Sequence, residues 1–188
     1  FMKVKTTNIP GLLIVEPMVF GDNRGYFYEV YNQSAYAEFG MDTNFVQDNV
    51  SYSTKNTIRG LHYQLAPFAQ AKLVQVLKGK VLDVAVDLRQ NSPTYGQHFA
   101  LELSDENKLQ FYIPRGFAHG FSVLSDDAVF YYKCDNPYNK DAERGINFND
   151  SGLGINWLVP EEEAIVSLKD EVLPSLIEAE KNFFYAED

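Results

Sequence analysis

The chain of 188 residues holds a single cysteine, Cys134, so no internal disulfide can form. A lone thiol fits a reducing compartment, and the cytoplasm is the expected location. Cys134 has no flanking cysteine or histidine and reads as a small packed hydrophobe. Histidine is nearly as scarce, with 3 residues. That leaves little from which to build a metal centre, because zinc and iron sites take three or more protein ligands. Basic residues number 16 against 26 acidic ones, for a net charge of -10. Such a surface repels polyphosphate backbones, which argues against nucleic acid as a partner. No apolar run reaches the roughly 18 residues of a membrane span, and the opening residues do not read as a secretion leader.

Aromatic residues, by contrast, are plentiful. Phe occurs 14 times and Tyr 12 times, and 45% of the chain is hydrophobic. This composition favours a folded, strand-rich protein, and residues 2–188 are read as one domain. Two short strands flank Pro10-Gly11, and strand composition returns at Tyr26–Tyr31. Residues 33–39 read as a helix, capped by Asn32 or Ser34 and stopped by Gly40. From 45 to 134 strand patterns recur about every ten residues, at 45–53, 57–64, 71–78, 80–88, 96–103, 109–113, 119–124 and 128–134. Turn clusters such as Lys78-Gly79 and Ser104-Asp105-Glu106-Asn107 separate many of them. That spacing predicts an antiparallel sandwich or barrel, not a βαβ fold. In the acidic segment 161–188, Leu173, Leu176, Ile177 and Ala179 have roughly helical spacing, which predicts one or two C-terminal helices.

The chemistry gathers around Thr57-Ile58-Arg59-Gly60-Leu61-His62-Tyr63-Gln64. A regular strand would put Arg59, Leu61 and Tyr63 on one face and Gly60, His62 and Gln64 on the other. A twist at Gly60 would bring Arg59 and His62 to one cavity. Histidine, with an ordinary pKa near about 6.5, can take and give protons at neutral pH. A carboxylate improves it as a base by orienting the ring. Asp83, Asp87 and Asp170 are the candidates, and spacing does not choose between them. Tyr131 and Tyr132 are adjacent on a strand, so one of them points inward and could act as an acid. Lys72 sits in the apolar run Ala71–Val76, where burial calls for an anionic partner such as an enolate oxygen.

Pro114-Arg115-Gly116-Phe117-Ala118-His119 matches the second half-motif of cupins, the small jelly-roll barrels. The first cupin motif supplies His-x-His, but here it reads His62-Tyr63-Gln64. The second histidine is missing, so a barrel without a metal is expected. The fold class expected is therefore all-β: a cupin jelly-roll, or double-stranded antiparallel β-helix, with short C-terminal helices.

Several motifs together carry a closer resemblance. Phe20–Glu29, Phe45–Asn49, Ile58–Gln64, Lys72–Val74, Val84–Arg89, Ser92–Gly96 and Ile113–Phe121 resemble, in order, the dTDP-4-dehydrorhamnose 3,5-epimerase family. These are cofactor-free cupin enzymes of dTDP-L-rhamnose synthesis, and the resemblance runs from near residue 3 to near residue 175. It implies His62 as general base, Asp170 as its partner, Tyr132 as the acid on the opposite face and Lys72 as enolate stabiliser. It implies substrate contacts at Arg24, Glu29, Gln47, Asp48, Asn49, Arg59, His119, Glu143 and Lys169, and base stacking at Tyr138. It also implies a dTDP-sugar substrate, no metal or other cofactor, and a homodimer exchanging N-terminal strands within 2–31, so that Arg24 and Glu29 serve the neighbour's site. Phe148 stands where the family often has tryptophan. Inversion of only C3 or only C5, a non-catalytic nucleotide-sugar-binding cupin and a metal-dependent cupin are the alternatives.

Overall fold

Runs of alternating apolar and polar residues, cut by turn chemistry, make short antiparallel strands. The computed structural model describes residues 2–186. Its strands are β1 (Lys3–Thr6), β2 (Leu13–Glu16), β3 (Val19–Asp22), β4 (Gly25–Tyr28), β5 (Gln47–Thr54), β6 (Ile58–Gln64), β7 (Lys72–Lys78), β8 (Lys80–Asp87), β9 (His98–Ser104), β10 (Gln110–Ile113), β11 (Phe117–Val123), β12 (Asp127–Cys134) and β13 (Glu143–Gly145). Two sheets face each other, with strand orders β1-β2-β10-β7-β12-β5 and β13-β6-β11-β8-β9. From β5 to β13 consecutive strands cross between them, the β8–β9 hairpin excepted, as in a jelly roll. Their inner faces share a core that includes Val74, Val76, Ala85, Phe111, Phe117, Phe121 and Phe130.

The outside of each sheet is covered differently. Helix α1 (Gln33–Ala37) lays the buried Tyr36 against Val15, Leu73 and Tyr112 of the first sheet. Asn32 is its cap, as the sequence predicts, its Oδ1 accepting from the Ala35 amide at 3.2 Å. Gly40 ends that turn at φ +85°. On the second sheet, Leu61, Tyr63, Val84 and Val86 pack under the C-terminal segment through Trp157, Ala179 and Phe183. Phe148 lies there against Trp157, whose Nε1 donates to the Phe148 carbonyl at 2.8 Å.

The expected strands match within a few residues, with two differences. The strand read over 26–31 stops at Tyr28. Beyond it the Val30 carbonyl turns inward and accepts from the Tyr36 hydroxyl at 2.9 Å and Gln110 Nε2 at 2.8 Å. The C-terminal helical turns are a 3-10 turn at Glu161–Glu163 and α2 (Leu168–Glu171), ahead of the residues with helical spacing. Leu173, Leu176, Ile177 and Ala179 lie in irregular chain. Pro174 supplies no amide and holds its predecessor extended, and Ile177 is 93% exposed.

One part stands clear of both sheets. β3 and β4 form a separate two-stranded hairpin, with Phe20 and Phe27 60% and 71% exposed. At the far margin, β5 ends the first sheet, and its outward Val50 and Tyr52 are exposed.

Candidate active site

Strand β6 builds the site floor because it is not regular. In the pairing with β11, His62 faces His119 and Arg59 faces Phe121, so three steps on β6 oppose two on β11. This is a β-bulge, and it breaks the strict alternation expected of the stretch. Ile58, Leu61 and Tyr63 all turn to the C-terminal cover, while Arg59 and His62 line one cleft. Gly60 takes φ +123° at the bulge. A Cβ there would lie 2.7 Å from both Gly120 Cα and the His119 carbonyl oxygen, so a side chain would strain the strand and push β6 away from β11.

The cleft is about 470 Å³ and is lined by Ser53, Arg59, His62, Ile165, Lys169 and Asp170 among others. The C-terminal segment forms its wall. Ile165 bridges to Thr57, and Ser167 caps α2, accepting from the Asp170 amide at 3.2 Å. Asp170 thereby reaches His62, with Oδ1 2.6 Å from Nε2, while its Oδ2 accepts from the Gly60 amide at 3.1 Å. Burial pushes the Asp170 carboxyl up, but the His62 hydrogen bond and charge, the Gly60 amide and Lys169 outweigh it and hold the carboxyl below its usual range. An ionised carboxylate only accepts, so in the neutral ring Nε2 carries the proton and Nδ1 the free lone pair.

The three candidate carboxylates separate cleanly. Asp83 goes to His119, its Oδ2 2.8 Å from Nε2. Asp87 accepts from Arg89 Nε at 2.9 Å and from the Thr94 hydroxyl at 2.7 Å, a buried structural network. Only Asp170 reaches His62.

Of the tyrosine pair, Tyr132 faces inward beside Phe130, with ring centroids 5.8 Å apart, and Tyr131 faces outward to Asp48 at 3.1 Å. Burial pushes the Tyr132 phenol up, with Arg59 pulling weakly the other way, so it is protonated and able to donate. The Lys72 ammonium lies 5.7 Å from the Tyr132 ring centroid. Lys72 is buried, which pushes its pKa down against the opposing influence of Cys134 and Asp83. His119 stacks on Phe130 at 5.9 Å.

The polar rim is laid out by β5, whose alternate residues face in. Gln47 Nε2 donates to Asn49 Oδ1 at 3.0 Å, and Ser53 Oγ accepts from Arg59 Nε at 2.9 Å. The Gln47 carbonyl oxygen of the side chain accepts from the Tyr138 amide at 3.0 Å. Glu143 accepts from Tyr138 Oη at 2.8 Å and Lys169 Nζ at 2.7 Å, which join over the opening. Asp48 alternates outward and pairs with Lys133 at 2.9 Å. Arg24 and Glu29 are not brought to His62. Arg24 pairs with Asp22 on the exposed hairpin, and Glu29 lines a separate cavity of about 650 Å³ with Phe20, Phe27 and Phe39. Ser53 and β13 were not singled out in the sequence. The in-out alternation Gln47, Asn49, Ser51, Ser53 carries the signal for the first, whereas three residues, Glu143–Gly145, are too few for a period to show.

A base oriented by a carboxylate, inside a jelly-roll barrel with a phenol on the facing sheet, makes this a cupin-fold enzyme of the proton-transfer class. The sequence profile described as dTDP-4-dehydrorhamnose 3,5-epimerase matches residues 6–178, and the chain belongs to that family. A relative of that name from Shigella flexneri is 54% identical over 170 residues, covering 90% of this chain and 93% of the relative. The crystal structure of the Elizabethkingia anophelis enzyme superposes with a TM-score of 0.89 at 56% identity, over 93% of this chain and 96% of that one. A Legionella pneumophila dTDP-6-deoxy-D-glucose-3,5-epimerase, in complex with dTDP-4-keto-L-rhamnose, gives 0.91 at 47% identity over 95% and 94%.

Proposed function

We propose that the protein converts dTDP-4-dehydro-6-deoxy-D-glucose to dTDP-4-dehydro-L-rhamnose by inverting C3 and C5. The observation that carries this reading is the His62–Asp170 contact in a cleft shared with Arg59 and Lys169. The C4 ketone acidifies the hydrogens on both neighbouring carbons. His62 Nδ1 takes a proton, and the electron pair passes through the C–C bond to O4. The Lys72 ammonium faces the resulting enolate oxygen, and Tyr132 returns a proton from the other side. Before the second carbon is inverted, His62 gives up its proton to water and Tyr132 regains one from water, so protons and electrons balance without a redox partner. Arg59, with its planar fork, holds a phosphate of the nucleotide, and Gln47, Asn49, His119, Tyr138, Glu143 and Lys169 contact the remainder of the substrate.

A second copy of the chain completes the site in this reading. The aromatic hairpin β3–β4 has no sheet of its own to join, and β5 offers an unpaired edge with exposed Val50 and Tyr52. Exchange of the N-terminal strands would carry Arg24 and Glu29 to the partner's cleft. The cytoplasm suits the unpaired, buried Cys134, and among the described residues no helix is long and apolar enough to cross a membrane. NMR of the product formed from the 4-keto-6-deoxyglucose nucleotide tests the reaction. The L-rhamno product is expected, and unchanged substrate would contradict the reading.

A further inference from the structure

Gln64 stands where the first cupin motif has its second histidine, two residues beyond His62 on β6. It is 4% exposed, and its amide is occupied by backbone groups. Nε2 donates to the Phe68 carbonyl at 2.8 Å and to the Pro137 carbonyl at 3.3 Å, while Oε1 accepts from the Asn139 amide at 2.8 Å. Two N–H donors on one atom and an acceptor on the other belong to an amide side chain; neither histidine nor an ionised glutamate offers that set.

Two of the three partners, Pro137 and Asn139, flank Tyr138. They lie in the loop 135–142 between β12 and β13, which has no helix or strand of its own. The Tyr138 amide is held from the facing sheet, where Gln47 Oε1 on β5 accepts it at 3.0 Å. Consecutive amides of the loop are thus held by glutamines of opposite sheets. The ring of Tyr138 is turned outward: the residue is 56% exposed, and its hydroxyl donates to Glu143, the register partner of Gln64 across the β13–β6 pair.

We propose that Gln64 is a positioning residue for the nucleotide end of the substrate. By bonding both neighbours of Tyr138 it fixes that backbone, so the ring is in place before the base arrives. A segment ordered beforehand loses less conformational freedom on binding, which raises affinity without a new contact. The His62–Asp170 contact is not part of this network, so the effect falls on binding and not on proton transfer. The inference rests on the reading of Tyr138 as the residue that stacks on the base.

Gln64→Met tests it, because methionine keeps the length of the side chain and removes its hydrogen bonds. KM for the dTDP-sugar and the inhibition constant of dTDP should each rise about tenfold with kcat little changed, as the cost of ordering the loop moves into the binding step. Inhibition by inorganic pyrophosphate, which has no base, should stay as in the parent enzyme. Equal weakening of dTDP and pyrophosphate, or a fall in kcat as large as the rise in KM, would mean a general loss of structure and overturns the proposal. Tyr138→Ala separates the two readings. If it leaves dTDP inhibition unaltered, the stacking role of Tyr138 fails and the proposal with it. If it weakens dTDP while Gln64→Met is silent, only the positioning role fails. The double variant should bind dTDP no more weakly than Tyr138→Ala alone, and a further loss contradicts action through that ring. Should the methionine variant not fold, Gln64→Glu replaces it. Its carboxylate can still accept from Asn139 but cannot donate to Phe68 or Pro137, so weaker dTDP inhibition is again expected, and parental inhibition overturns the proposal.

Discussion

His62 Nε2 and Asp170 Oδ1 meet at 2.6 Å across 108 positions of chain, one on a central strand and the other on the C-terminal cover. The contact makes the cover part of the chemistry. It also fixes which ring nitrogen is free.

Asp170→Asn keeps the volume of the side chain but can present an amide N–H to Nε2 and favour the wrong tautomer. Activity is expected to fall about 10²–10⁴-fold, by analogy with the orienting carboxylate of a catalytic triad. The same group predicts a pH signature in stability. Its folded pKa lies below the unfolded value, so its contribution is present above about pH 4 and is lost as pH falls through the folded value. Melting temperatures of the parent and Asp170→Asn, measured from pH 7 down to pH 3, should converge at the acid end. A constant gap would show that the carboxylate is not held by charge.

Tyr132→Phe removes the phenol and leaves the ring that packs on Phe130. Proton removal by His62 should continue, so solvent deuterium still enters the sugar, while inversion at one centre drops. Mass spectrometry for deuterium and NMR for configuration read the two separately. Equal loss of both would remove Tyr132 from the role of acid.

Arg24 lies on the exposed hairpin, away from His62, so its place in a neighbour's site can be tested by mixing. Arg24→Ala and His62→Ala subunits, each weak or inactive alone, are unfolded together and refolded. In a strand-exchanged dimer each heterodimer regains one intact site, which amounts to about a quarter of all sites in an equal random mixture. If Arg24 served its own chain, no intact site could form and no activity would return.

Much of this was legible in the sequence, for identifiable reasons. The strands of the barrel were readable because their residues alternate and their turns are polar. Alternation put one of Tyr131 and Tyr132 inside, and the apolar run around Lys72 marked that lysine; the family resemblance chose Tyr132. The bulge was only partly readable. Gly60 marks it, but the pairing of Arg59 with Phe121 depends on a strand more than fifty residues away. The choice among Asp83, Asp87 and Asp170 was not readable from spacing, since long-range contacts assign each to a different partner; the family resemblance pointed to Asp170. The C-terminal segment misled the periodic reading because Pro174 breaks the helix that Leu173 and Leu176 suggest. The outward turn of Asp48 follows from β5's own alternation, with Gln47 and Asn49 facing in.

The central claim is that His62, held by Asp170, removes protons from both C3 and C5. Incubating the dTDP-4-keto-6-deoxyglucose substrate with enzyme in deuterium oxide tests it most directly. The parent enzyme should place deuterium at both carbons, and His62→Ala should place it at neither. Deuterium at one carbon alone would make this a single-site epimerase. Full exchange by His62→Ala would show that another group is the base.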